Sequence, residues 1–175
     1  NQIRNRDGFG NFQGGKTSIG GRFSLKKESS LYQLHEWLEE CLDEVKEDIE
    51  FYRDNIPKLS ISQSWLNCSQ KGQVHYKHFH GLSLLSGILY ITEPSHTIFC
   101  HQSIYSVPLI FSKEEMEEKY TYKAERGSLI IFPSTLKHYV GPHFEEESRI
   151  SLAFNSWFKG ELGDPNKSRY LPENL

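Results

Sequence analysis

His78 and His80 flank Phe79 in the run Val74-His75-Tyr76-Lys77-His78-Phe79-His80. The run reads as a strand, whose two-residue alternation turns both imidazoles to one face and Phe79 to the other. Two neutral ring nitrogens on residues about 7 Å apart along a strand can converge on one metal ion. The same pair also occurs on strands where both rings are only hydrogen-bonded, so the spacing leaves a metal and a structural reading open.

A second constellation lies toward the C-terminus. Residues Gly127-Ser128-Leu129-Ile130-Ile131-Phe132-Pro133-Ser134-Thr135-Leu136-Lys137-His138 read as a buried strand, a turn broken by Pro133, and a histidine. Arg149 follows in Arg149-Ile150-Ser151-Leu152-Ala153-Phe154-Asn155, where Arg149 and Ser151 share a strand face opposite Ile150, Leu152 and Phe154. A guanidinium so placed points into a barrel mouth or into solvent, where Glu145–Glu147 would pair with it. The remaining histidines read as structural or exposed: His35 on a helix, His96 and His143 in loop-like sequence, and His101 at the end of a short apolar run.

The elements that must position these groups follow from hydrophobic period. Leu31, Leu34, Leu38, Leu42, Val45 and Ile49 recur at steps of three and four, which predicts a helix over 30–55, with Ser30 and Gln33 as a capping box and Pro57 past its end. Its other face carries Glu36, Glu39, Glu40, Asp43, Glu47 and Asp48 and reads as solvated. After Pro57 the pattern turns to strands at Leu59–Cys68, Val74–His80, Leu84–Thr92, Lys119–Ala124, Ser128–Phe132 and Ser148–Phe158. Lys113–Lys119 reads as a charged helical turn. Residues 1–28 form a Gly-rich lead-in with a short strand near Arg22–Leu25, and 159–175 a tail. A long helix followed by strands predicts one domain over 1–175, a mainly β sandwich or jelly roll spanning 59–158 with the helix packed on it.

Composition narrows the function classes. The 175 residues carry a net charge of −3 and 13% aromatics, too aromatic for a disordered chain and too acidic for a general nucleic-acid surface. The acidic helix face argues against a nucleic-acid partner for the same reason. No apolar run reaches the roughly 20 residues that cross a bilayer. Cys41, Cys68 and Cys100 form no CxxC pair and read as small core residues, which predicts a reducing, cytoplasmic location. Gly10–Thr17 spells G-x-x-x-x-G-K-T, but neither an apolar strand before it nor a helix after it is predicted, so it reads as a chance match in a Gly-rich loop. Asn1 is not an initiator Met, and the polar start predicts that residues precede it.

Taken in order, Trp65-Leu66-Asn67, His78-Phe79-His80, Leu85-Ser86-Gly87-Ile88-Leu89-Tyr90, the Gly127–His138 run and Arg149–Asn155 resemble the 2-oxoglutarate- and Fe(II)-dependent oxygenases, in a branch related to prolyl hydroxylases. The resemblance covers Trp65 to Phe158. It implies a double-stranded β-helix of cupin-like type, with Fe(II) held by His78, His80 and His138. It implies 2-oxoglutarate as cosubstrate, its far carboxylate on Arg149 with Ser151, Tyr90 and Asn67 beside it, and a small-molecule or peptide substrate hydroxylated as 2-oxoglutarate is converted to succinate. Asn155, like Asn67, is a candidate for supporting the ligands. Trp65, Phe79 and Tyr76 read as core or rim aromatics. His80 stands where better-known members carry Asp or Glu. Two other readings use the same residues: a three-histidine, cupin-like dioxygenase that needs no 2-oxo acid, and a non-catalytic jelly-roll binding protein.

Overall fold

A computed structural model of the chain describes residues 4–5, 12–13, 16–18, 30–50, 56, 58–92, 95–102, 117–163, 166 and 170–171. The helix α1 (Tyr32–Asp48) precedes the main strands. These are β4 (Lys58–Ser69), β5 (Val74–His78), β6 (Leu85–Tyr90), β7 (Ser95–Gln102), β8 (Glu117–Ala124), β9 (Leu129–Pro133), β10 (Lys137–Val140) and β11 (Arg149–Lys159). Shorter strands are β1 (Arg4–Asn5), β2 (Phe12–Gln13) and β3 (Lys16–Thr17) before the helix, and β12 (Leu162–Gly163) and β13 (Tyr170–Leu171) after β11.

The strands form one sheet in the order β1-β3-β4-β11-β6-β9 and a second in the order β2-β5-β10-β7-β8, with β12 and β13 paired apart. Every pairing is antiparallel. From β4 to β11 the chain changes sheet at each step except the β7–β8 hairpin. That winding is the double-stranded β-helix.

The first sheet has two different faces. Leu152 and Phe154 on β11, Leu85 on β6 and Leu59 on β4 are buried in one cluster with Leu38 and Leu42 of α1. This is the apolar stripe of the helix meeting the sheet, and each fully buried Leu or Phe contributes about 1.5–3 kcal/mol. A second cluster, Ile88, Tyr90, Phe99, Ala124 and Phe132, draws on strands of both sheets. The face of β11 opposite the helix therefore carries Arg149, Ser151, Ala153 and Asn155.

A bulge on β4 makes this division. Asn155 pairs with Gln63, but the next residue, Ser156, pairs with Ile61, so Ser62 is extra. The extra residue switches faces: Leu59 joins the helix cluster, whereas Trp65 and Asn67 line the cavity away from it.

Several expectations need correction. The helix starts after Leu31, which caps it without a side-chain hydrogen bond, so Ser30 stands one residue too early to act as the cap. α1 stops at Asp48, where Ile49 is extended; Glu50 is helical again, and residues 51–55 lie outside the described residues. Glu39 is not simply solvated: its carboxylate accepts from the Ile61 backbone N–H at 3.2 Å and lies 3.4 Å from His35 Nε2. Glu117–Lys119 belong to β8 rather than to a helical turn, because they pair with β7. β7 and β10 are strands that period alone did not reveal. Lys16 and Thr17 pair with Cys68 and Asn67 as strand residues, which removes the phosphate-loop match. The strand predicted near Arg22–Leu25 lies outside the described residues.

Candidate metal centre

β10 lies between β5 and β7, and its register sets His138 directly opposite His78. The two rings are 4.3 Å apart between centroids. Two steps along β10, from His138 to Val140, span three along β5, from His78 to His75. This second bulge places both His75 and His78 on the inner side, with their rings stacked at 4.4 Å.

His80 reaches the same point by another route. β5 ends at His78, so His80 is not held by strand alternation as predicted. Its backbone N–H donates to the Ser134 carbonyl at 2.9 Å, and the chain then turns through Leu82 at φ 55°. The outcome is still convergence: one ring nitrogen from each of His78, His80 and His138 lies within 4.8 Å of the others. Phe79 points away and is exposed, as expected.

The other nitrogen of each ring is occupied. His78 Nδ1 is 2.7 Å from the Tyr76 carbonyl and His138 Nδ1 is 3.0 Å from the Leu136 carbonyl. A carbonyl only accepts, so both Nδ1 atoms carry the proton and Nε2 keeps its lone pair. His80 Nδ1 lies 2.6 Å from Asn155 Oδ1 and 2.9 Å from Ser86 Oγ. Ser86 continues to Ser134 at 2.7 Å, and Ser134 donates to Ser83 at 2.7 Å. Ser86 and Ser134 are fully buried. Such outer partners fix tautomer and ring direction for a metal.

Burial lowers the basicity of all three rings. It takes His138 down to about 3, with His78 adding to the effect, and His80 to about 4 despite the opposing bond to Asn155. His78 falls for the same reason, against the Tyr76 hydrogen bond. The neutral rings are therefore ready as ligands near neutral pH. Three imidazoles suit Fe(II), and equally Zn(II), Ni(II) or Cu(II), since among the described residues no carboxylate joins them.

The pocket continues from the histidines to Arg149. The alternative of a surface pairing with Glu145–Glu147 is not found: the side chain is 7% exposed, and Nη1 has no hydrogen-bond partner among the described residues. Burial lowers its pKa, with Tyr90 opposing, yet a guanidinium stays charged. Ser151 of β11 stands in register between Asn67 of β4 and Tyr90 of β6, so these three form one row across the sheet. Tyr90 Oη is 2.7 Å from Thr97 Oγ1, and burial pushes its pKa up to about 12. All seven predicted site residues thus line one pocket.

The sequence reading missed His75 and His96, which line it too. His75 is held well below the usual imidazole range by burial, then by His78, His138, His80 and Arg149. His96 lies on β7 and not in a loop, and burial, Arg149 and His143 lower it. His143 is buried, with Nε2 against the Glu147 carbonyl, rather than exposed. Trp65 is also a pocket wall, its ring 5.5 Å from that of His80. For His75, the visible signal was its place three residues before His78, which only a bulge turns inward.

The site's donor set fits a divalent ion, and the unsatisfied Nη1 of Arg149 fits an anion. Residues 63–155 match the model of a family described as "Putative 2OG-Fe(II) oxygenase". No curated protein matches the chain significantly in sequence. Among solved structures, the chain is similar to a Pseudomonas putida prolyl-4-hydroxylase at 14% identity and TM-score 0.56, over 89% of this chain and 76% of that one. It is similar to a viral collagen prolyl hydroxylase from Paramecium Bursaria Chlorella virus-1 at 16% identity and TM-score 0.43, over 70% and 72%. A Burkholderia pseudomallei oxidoreductase of the 2OG-Fe(II) oxygenase family is similar at 12% identity and TM-score 0.45, over 57% of this chain, which spans 44% of that protein's length. The family match covers more than half of the sequence, and the chain belongs to the 2OG-Fe(II) oxygenase family.

Proposed function

We propose that the protein is a 2-oxoglutarate- and Fe(II)-dependent dioxygenase that hydroxylates a small molecule or peptide and releases succinate. Family membership implies Fe(II) and 2-oxoglutarate as cofactor and cosubstrate. The observation that carries the reading is Arg149, buried in the same pocket as the three histidines with Nη1 unsatisfied. A buried unpaired donor on a fixed cation costs stability, and a carboxylate removes that cost with two charge-assisted hydrogen bonds.

In this reading His78, His80 and His138 hold the ion, and Arg149 fixes the far carboxylate of 2-oxoglutarate. Ser151 and Asn67 offer further hydrogen bonds beside it. Tyr90 donates its own proton when Thr97 donates to Tyr90 Oη, since either oxygen of that pair can be the donor. Trp65, Ile88 and Ala153 line the space between and keep water from it. When bound, Fe(II) with 2-oxoglutarate supplies oxidative decarboxylation coupled to hydroxylation; the chain supplies position and exclusion.

The three-histidine cluster, joined by no carboxylate among the described residues, favours one second reading, a three-histidine dioxygenase that works without a 2-oxo acid. Oxygen uptake by the Fe(II)-loaded protein decides between them: dependence on added 2-oxoglutarate supports the first, uptake with substrate alone the second. Anaerobic addition of Fe(II) and 2-oxoglutarate should give a weak visible charge-transfer band. If calorimetry and spectroscopy both see no binding, the proposal fails. Free thiols at Cys41, Cys68 and Cys100 support a cytoplasmic location. Among the described residues no helix is long and apolar enough to cross a membrane.

A further inference from the structure

The sheet that holds His78 and His138 carries their row further. β10 pairs His138 with Phe99 on β7, and Phe99 pairs in turn with Tyr120 on β8. Residues directly opposite one another on neighbouring strands share a face, so Phe99 and Tyr120 stand on the inner face with the two histidines. Phe132 meets them from the other sheet. Its ring lies 4.9 Å from that of Phe99 and 4.9 Å from that of His138, edge-on to both. The His138 imidazole thus rests on an aromatic pair that continues away from the metal centre.

Beyond that pair lies a second cavity of about 490 Å³, lined by Phe99, Phe132, Ile130, Leu136 and Tyr120, and by His101 and Lys119. Its volume falls in the range of small-molecule sites, about 300–1,000 Å³. Phe99 and Phe132 are buried, whereas Tyr120 is 67% exposed, so the cavity runs from an aromatic floor to an open rim. The side chains of Phe99, Phe132, Ile130 and Leu136 offer a polar group nothing to replace its lost water. They select apolar matter instead.

We propose that this cavity seats the apolar part of the substrate to be hydroxylated, an aromatic ring or a hydrocarbon group of that size. The inference rests on the function proposed above and narrows its substrate to a molecule or side chain carrying such a group. Continuity with the centre decides the occupant. Phe99 and Phe132 are at once the floor of the cavity and the packing of His138, so a group lying on them brings its attached atoms toward the centre. Tyr120, at the rim, stands two strands from His138, about 10 Å by strand spacing.

The test uses 4-fluorotoluene as probe, on protein loaded with Mn(II) or diamagnetic Zn(II) and saturated with 2-oxoglutarate. Fluorine NMR reports binding, and the added relaxation from Mn(II) gives the distance of the fluorine from the ion. The expected result is saturable binding at about 10 Å from the ion, on the scale of two strand spacings, with 2-oxoglutarate still bound by calorimetry. Polar fluoroacetamide should not bind. Ile130→Trp fills the cavity and should weaken the probe by about tenfold or more. Should that variant not fold, Tyr120→Asp sets a charge at the exposed rim and should act in the same direction. Retention of Mn(II) shows that a variant is folded. Absence of saturable binding, equal binding of fluoroacetamide, a distance beyond about 15 Å (three strand spacings), or undiminished binding in a folded variant overturns the proposal. So does displacement of 2-oxoglutarate, which would put the probe in the metal pocket. Failure of 2-oxoglutarate to bind removes the oxygenase reading, while the probe's affinity and distance still test the cavity. Failure to bind Mn(II) removes both.

Discussion

Asn155 Oδ1 lies 2.6 Å from His80 Nδ1 across 75 residues of sequence, and it also accepts from Ser86 Oγ at 2.9 Å. The pair matters because no strand holds His80: beyond the end of β5, this contact and the bond from its backbone N–H to Ser134 fix where the ring stands. Asn155 itself is set by β11 pairing with Ser86 on β6 and Gln63 on β4. A ligand on irregular chain is thus aimed by a residue in the middle of a sheet.

Replacing that amide tests the relationship. Asn155→Ala should weaken metal affinity by about 10- to 100-fold, as loss of an outer hydrogen-bond partner does elsewhere. Ser134→Ala should weaken it less, since the hydroxyl acts through Ser86. Competition with a chelator measures both, and unchanged affinity in Asn155→Ala would show that the ring is held by something else.

Arg149→Ala should cost 2-oxoglutarate about 1.5–3 kcal/mol of binding, the worth of a hydrogen bond to a charged group, and leave metal affinity in place. Arg149→Lys keeps charge but not the planar fork and should recover only part of it. Calorimetry on metal-loaded protein separates these. Wild-type affinity in Arg149→Ala would remove the residue from its role.

The metal-free protein should lose stability as pH falls. His138 and His80 titrate at about 3 and 4 in the folded chain against an ordinary 6.5, chiefly because burial disfavours the charged ring. Between those values and 6.5 the unfolded chain binds more protons, so acid favours unfolding there. The stability is fully present above about pH 6.5 and is lost toward pH 3, by up to about 1.4 kcal/mol per pH unit for each proton. Urea titrations at pH 7.5, 6 and 5 should show falling midpoints; a flat series would contradict buried neutral rings.

Gly87→Ala should destabilise the fold by about 1–3 kcal/mol, a typical cost of overpacking. Gly87 pairs with Phe154, and a Cβ there would overlap the fully buried Phe154 ring. Thermal melts would show it, and an unchanged midpoint would mean the ring can move aside.

The sequence by itself determined which residue types could do chemistry and roughly where the strands run. Its period-3.6 stripe at Leu34, Leu38 and Leu42 and its period-2 alternation around Arg149 and Ser151 are local patterns, and local sterics enforce them. Its order of motifs also pointed to the family, whose model matches residues 63–155. What tertiary structure alone decided is how those residues meet. The bulge opposite Ser156 sends Leu59 to the helix and Trp65 to the pocket, and the bulge between His75 and His78 adds a histidine that alternation would turn outward. Arg149 could have paired with neighbouring glutamates, and only the packing of two sheets buries it beside Tyr90 instead. One extra residue reverses every side chain beyond it, and which strand absorbs the extra residue depends on its partner's register, a fact written in neither strand alone.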